Sequence, residues 1–409
     1  MPRLGFFVGL LALAGLLIKC GPATVPYYQI NSEGVKSEGR QWVQKNFFLS
    51  TFSAYPGEDA NYEKITRTLL EAGFNYVETA WRAGSVTKEI LKTADDLGIA
   101  VMAQDLALLG GFQGKSVPYH PDSVSRFLEK YGTHPSLKSV YVCDEPIVED
   151  FEMVRKNIDD LEQRRPDLLG FSVLLPSYYP PYGWTGYTKL RYDEYVDRYI
   201  REVKPPVLST DYYPFQAPGD TTTERFYKNW FWKDMGLFRD RALKHDLIHW
   251  FYYQTVQIVP QNPIIQPSYV TVQAWAAILY GVKGLSTYTA AGSVVDRYGN
   301  KDRLFDVQQQ LNREINALGN TLLNLKSTGV YHAEQDSIPD DYASSFSQSD
   351  WLTNLPPHLS AGEFIDGEGH TYILFLNRDF TRGRNFTVRL KQTARVYLCD
   401  KKNEGKQSV

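Results

Sequence analysis

Cysteine is scarce: the 409-residue chain carries Cys20, Cys143 and Cys399 and no others, too few and too scattered for a disulfide framework. Charge is nearly balanced, with 44 Lys+Arg against 47 Asp+Glu and a formal net charge of −3, so no long-range field draws nucleic acid to it. The seven histidines form no His-Glu-x-x-His run and no cluster at ligand spacing, which argues against a metal centre. Nothing in the chain calls for a cofactor, and no Gly-rich phosphate turn follows an early strand-like run, which argues against a dinucleotide-binding sheet. Present in excess are aromatic residues: 28 Tyr, 21 Phe and 8 Trp make up 14% of the chain. They offer flat faces suited to a flat ligand. With 43% hydrophobic and 22% charged residues, the composition is that of a globular protein of one or two domains.

The first residues read as an address. Arg3 precedes the apolar run 4–18, about the length of a signal-peptide h-region and short for a membrane span, so 1–19 is expected to be removed. Cys20-Gly21 then resembles the lipobox of bacterial lipoproteins, with Lys19 where that motif has a small residue. The resemblance implies a lipid on Cys20 and an exported protein, periplasmic or anchored to the outer membrane. Plain secretion and an uncleaved anchor are the alternatives. Residues 20–41 suit a tether.

From Trp42 onward, short apolar or β-branched runs alternate with amphipathic segments. The runs 47–52, 76–79, 99–104, 139–144, 170–175, 207–211, 247–254 and 284–288 predict strands. Segments 62–71, 86–97, 123–131, 150–164, 192–203, 223–244, 269–280 and 306–325 predict the helices between and after them. Eight such pairs are the count of a (β/α)8 barrel, an α/β fold, over 42–325. An open doubly wound sheet is the rival. After Leu325 the pattern turns to strands, at 362–366, 371–377, 385–390 and 395–399, with a polar tail at 401–409. Residues 326–409 are therefore expected to form a small sandwich-like β module, short of a strand or two.

In such a barrel the reacting groups sit at the C-terminal ends of the strands. Those ends supply Glu78 and Trp81, Gln104, Asp144-Glu145-Pro146, Asp211-Tyr212-Tyr213, Tyr253-Gln254 and Tyr288. Carboxylates, amides and aromatics ring the mouth. Lysine is missing from it, which counts against Schiff-base chemistry. Cleaving a glycosidic bond needs a proton donor and a second anionic group, and Glu145, following the buried run 139–143, is the expected acid. Asp144 or Asp211 is its charged partner. An acid ahead of a helix can also be a cap, but Pro146 makes this segment a turn. The other mouth residues, with Trp184 of the aromatic loop 177–187, are expected to line the substrate. Trp230 and Trp232 are expected in the core, as are Cys143 and a hydrogen-bonded His249.

The run Val140-Tyr141-Val142-Cys143-Asp144-Glu145-Pro146 resembles the acid/base turn of clan A glycoside hydrolases, an Asn-Glu-Pro there. Residues 273–288 look like the seventh helix and eighth strand of bacterial barrel glycosidases, and 362–377 is similar to the β module that often follows. This chain departs from clan A in having Asp144 for the Asn and Tyr253-Gln254 where that clan places its nucleophilic Glu. An Asp-Glu pair instead resembles hexosaminidases that use substrate assistance, in which the Asp orients the 2-acetamido group of the sugar. The expectation is an exported glycoside hydrolase acting on an oligo- or polysaccharide, membrane-bound if Cys20 is lipidated. Two alternatives stand: a carbohydrate-binding surface lipoprotein that lost catalysis, or a barrel acting on another substrate.

Overall fold

The computed structural model describes residues 3–8, 15–22, 34–55, 57, 60–79, 86–112, 114–178, 191–216, 230–391, 393, 396–399 and 406–408. Two strands come first, β1 (Arg3–Val8) and β2 (Gly15–Pro22). Eight strand–helix pairs follow. They are β3 (Phe48–Thr51) with α1 (Tyr62–Glu71), β4 (Tyr76–Glu78) with α2 (Lys88–Leu97), β5 (Ala100–Ala103) with α3 (Ser123–Tyr131) and β6 (Leu137–Asp144) with α4 (Phe151–Arg164). The second half has β7 (Leu169–Val173) with α5 (Tyr192–Val203), β8 (Val207–Tyr212) with α6 (Phe231–Lys244), β9 (Ile248–Gln254) with α7 (Pro267–Leu279) and β10 (Gly284–Tyr288) with α8 (Phe305–Asn324). Local chemistry sets several boundaries. The Asn61 side chain caps α1 at the Lys64 amide and Thr87 caps α2 at Ile90, while Gly98, at φ 75, ends α2 in the left-handed conformation.

The eight strands form two parallel sheets, in the orders β4-β5-β6-β7 and β3-β10-β9-β8. At the two seams the regular ladder stops. Isolated backbone bonds cross instead, from the Asn75 amide to the Leu49 carbonyl (3.0 Å) and the Ala54 amide to the Glu78 carbonyl (2.9 Å) at one, and from the Leu174 amide to the Ser209 carbonyl (2.9 Å) at the other. The structure thus has the expected mixed α/β character, strand count and parallel direction, whereas a closed ladder is not formed. At the first seam the bonds fall on either side of the pair, at Asn75 ahead of β4 and Ala54 past β3, and at the second just beyond β7 at Leu174, so no ladder runs between these strands.

Parallel strands covered by helices are buried on both faces, and β9 is buried at all seven positions. Its residues alternate between two cores. Ile248, Trp250 and Tyr252 join Trp42, Phe48, Met102, Tyr141 and Phe171 inside the sheets, while Phe251 and Tyr253 join the helix-facing core. Phe48 stacks on Trp250 at 3.8 Å, with Trp42 edge-on to it at 5.9 Å. Gln44 accepts the indole N–H (2.9 Å), which satisfies the polar atom of that ring within the aromatic cluster.

A third sheet is antiparallel and contains β11 (Lys326–His332), β12 (Leu359–Ile365), β13 (His370–Asn377), β15 (Tyr397–Cys399) and β16 (Lys406–Ser408). Its order is β11-β12-β13-β2-β15-β16, and β1 pairs with β14 (Arg384–Arg389). Three features differ from the sequence expectation: β11 was not foreseen, β16 lies in the segment read as a polar tail, and two strands come from the first 22 residues. Gly15–Pro22, which includes Cys20, fills the position between β13 and β15. An apolar run satisfies a sheet slot as readily as it satisfies a leader, because both require only continuous hydrophobicity. Helix α7 is buried all round from Val270 to Leu279, as a helix held between two layers must be. Gly362 lets the third sheet approach it, since a Cβ there would stand 2.7 Å from the Leu279 carbonyl.

Candidate active site

The C-terminal strand ends converge on a cavity of about 120 Å³ lined by Phe52, Phe112, Tyr141, Asp144, Glu145, Val173, Asp211, Tyr213, Tyr252 and Tyr288. Three carboxyl groups therefore share one small aromatic-walled space. Asp144 is the last residue of β6 and its amide donates to the Gly111 carbonyl (2.9 Å). Glu145 follows at φ 47, a left-handed conformation that a residue with a Cβ adopts at an expense of order 1 kcal/mol or more. Its amide donates to the Val173 carbonyl (3.1 Å), which holds the turn in that conformation. Strain of this kind re-aims a side chain, here into the cavity that Glu145 lines.

Burial dominates the electrostatics. Asp144 and Asp211 are 7% and 5% exposed, and desolvation lifts both carboxyls well above the ordinary range. The Tyr141 hydroxyl opposes this at Asp144, donating to its Oδ1 (2.9 Å). At Asp211 the charge of Asp144 adds to the lift, while hydrogen bonds from the Tyr213 hydroxyl and with Glu145 oppose it. Asp211 Oδ1 is buried with no partner. Glu78 lies deeper, fully buried, accepting from Ser286 Oγ (2.7 Å) and the Tyr252 hydroxyl (2.8 Å). Burial pushes it up to about 7 against those bonds, with the Asp144 charge adding to the effect. Carboxyls shifted in this direction keep their protons to higher pH than free ones, the direction that proton donation to a leaving group requires. Tyr213 and Tyr288 pack at 4.8 Å and Phe52 lies 5.7 Å from Tyr288, giving the cavity a wall of ring faces and edges.

The other expected residues fall elsewhere. Glu78 supports the cavity from beneath and does not line it. Tyr212 points to the helices, edge-on to Tyr178 (4.7 Å) and Phe231 (5.7 Å). Tyr253 also faces outward, its hydroxyl donating to Gln308 Oε1 (3.1 Å) and accepting from Gln308 Nε2 (2.8 Å). Gln254 holds a loop: Oε1 accepts the Phe215 amide (3.0 Å) and Nε2 donates to the Phe215 and Val256 carbonyls. Gln104 is buried and its carbonyl accepts the Val86 amide (2.7 Å). Trp81 and Trp184 lie outside the described residues. Trp232 is in the core, whereas Trp230 is 55% exposed with the Lys233 amine over its ring. His249 is buried, pushed down to about 3 by desolvation, and neither ring nitrogen has a hydrogen bond, unlike the bonded histidine expected.

Tyr141, Tyr252, Phe52 and Phe112 were not foreseen. Tyr252 was within reach, since it shares the parity of Trp250 on β9 and adjacent Tyr253 must face the other way. Tyr141 was not, because the β6–β7 register shifts between Tyr141 and Cys143. That irregularity turns two residues three apart to the same side. We expect Tyr253→Phe to lower stability by about 1–2 kcal/mol in a denaturant melt while leaving turnover unchanged. Tyr213→Phe should show the converse. Loss of activity in the Tyr253 variant at full stability would place that residue in the site after all.

Two other constellations have the residue types of active sites. Ser360 Oγ, His332 and Asp340 form a chain through His332 Nδ1 (2.7 Å) and Nε2 (3.5 Å), but Ser360 is fully buried, so the chain is structural. Asp366, Glu368 and His370 could offer metal ligands at the β12–β13 turn. Asp366 there is already an acceptor for the Glu368 and His370 amides.

No family model and no curated protein matches the chain. Several solved structures are similar to it at low identity. They include a β-glucuronidase from Ruminococcus gnavus in complex with D-glucaro 1,5-lactone (13% identity, 65% of this chain and 48% of that one, TM-score 0.44). Another is a GH2 β-galacturonidase from Eisenbergiella tayi bound to galacturonate (12%, 68% and 54%, TM-score 0.45). A third is a glycosyl hydrolase family 2 member from Bacteroides cellulosilyticus (12%, 89% and 46%, TM-score 0.41). The chain spans about half the length of these proteins.

Proposed function

We propose that the chain is a glycoside hydrolase, its two parallel sheets acting together as a (β/α)8 barrel. The observation that carries this reading is the meeting of Asp144, Glu145 and Asp211 in one aromatic-walled cavity at the C-terminal strand ends. Glu145 is the general acid: its proton passes to the glycosidic oxygen as the bond from that oxygen to the anomeric carbon breaks. The resulting cationic centre needs a negative or nucleophilic partner. Glu145 lies close enough to Asp211 to hold that carboxyl down. That contact favours Asp211 as a proton partner and leaves Asp144, steadied by Tyr141, to orient a 2-acetamido group whose carbonyl oxygen attacks the anomeric carbon. Water then opens the cyclic intermediate, giving its proton to Glu145 and its hydroxyl to the sugar.

Export with a lipid on Cys20 belongs to the same proposal. Cleavage ahead of Cys20 would withdraw Gly15 to Lys19 from the third sheet. The function is tested by incubating the full chain with aryl glycosides, N-acetyl-β-hexosaminides among them, and following release of the aryl alcohol. Saturable turnover is expected. Measurable glycan affinity with no turnover over long incubation would sink the hydrolase reading and favour the binding lipoprotein, for which Gln254 in place of a nucleophilic Glu speaks.

A further inference from the structure

At the opposite ends of the strands lies a cavity of about 750 Å³, the size of sites that enclose small organic ligands. Its walls come from α6, the start of β9, the residues just before β10, the end of α8 and the start of β11. Lys36, Arg239, Lys283 and Lys326 line it against a single carboxylate, Asp246, which stands 3.9 Å from Lys326. Arg239 is 8% exposed; its Nε donates to Ser327 Oγ (2.7 Å), and it forms no ion pair among the described residues. Lys283 donates to the Leu322 carbonyl (2.6 Å) and the Leu325 carbonyl at the end of α8. Burial pushes its amine down to about 7 and holds the Arg239 guanidinium below its usual range. His249 forms part of the wall with both ring nitrogens unbonded.

The Asp340 and Asp240 carboxylates act on the Arg239 guanidinium without forming an ion pair with it, and a carboxylate or phosphate opposite its planar fork would add the direct contact. Most of the remaining wall is apolar, from Val35, Val43, Ala242, Ile248 and four leucines, more than an inorganic ion needs. We propose that this cavity binds an amphiphilic organic anion, its head group against Arg239 and Lys283 and its aliphatic body along Leu243, Leu247, Leu323 and Leu325. The site is separate from the strand-end cavity and independent of the hydrolase reading.

Isothermal titration of the full chain with decanoate, decanol and inorganic phosphate tests it. Decanoate should bind at least about tenfold more tightly than either of the others, the contribution of a charge-assisted contact added to apolar burial. Arg239→Gln should bring decanoate down to the affinity of decanol while leaving decanol unchanged. Should that variant not fold, Leu243→Trp, which fills the cavity from a half-buried position, must abolish decanoate binding with the melting curve retained. Failure of decanoate to bind, equal affinity for decanol or phosphate, or undiminished binding by a folded Leu243→Trp chain would each overturn the proposal.

Discussion

Glu145→Gln is expected to lower turnover of aryl glycosides by roughly 10²–10⁴, the range that a positioned general acid contributes. The loss should depend on the leaving group. An alkoxide or unactivated phenol cannot depart unprotonated, so its glycosides suffer the full effect, whereas a dinitrophenolate leaves without help and its glycosides suffer little. The amide keeps the size of the carboxyl and the left-handed turn held by the Val173 carbonyl, so the melting temperature should change little. Equal losses across leaving groups would point to a damaged fold. Unchanged turnover would remove Glu145 from the mechanism.

Asp211→Asn should pair an activity loss of similar size with a gain in stability that depends on pH. Desolvation raises the folded-state pKa of Asp211 above that of the unfolded chain. Between those two values the native state binds a proton that the unfolded state releases, so this group's contribution to stability falls as pH rises. The contribution is intact below the ordinary Asp range and lost above the raised value. The asparagine variant carries no such charge. Its melting temperature should match the parent near pH 4 and exceed it by a few degrees near pH 8. A lower melting temperature at pH 8 would show that the charged carboxylate is a net stabiliser, and the electrostatic account of the cavity would then be wrong.

Legibility differed between parts of the molecule for identifiable reasons. Helices α1, α3 and α5 stand at the residues their periodicity predicts, because a one-sided apolar stripe is written locally. Strands of the two parallel sheets were also legible, since burial on both faces leaves a continuous apolar run. The inward or outward direction of each residue was harder. On β9 parity separates Tyr252 from Tyr253, and on β6 a register shift cancels parity altogether. The first 22 residues were the least determinate: an apolar run carries no mark of whether a sheet, a membrane or a peptidase receives it.

The chain's order of residues alone determined how many strand–helix pairs there are, their direction and the chemistry available at each strand end, because these depend on near neighbours and on hydrophobic spacing. Tertiary structure decided which of those groups meet. Asp144 and Asp211 are 67 positions apart, and their raised pKa values arise from a shared buried cavity that exists only once β6 and β8 stand on either side of β7. Desolvation and charge repulsion are properties of distance and surroundings, which no local pattern encodes.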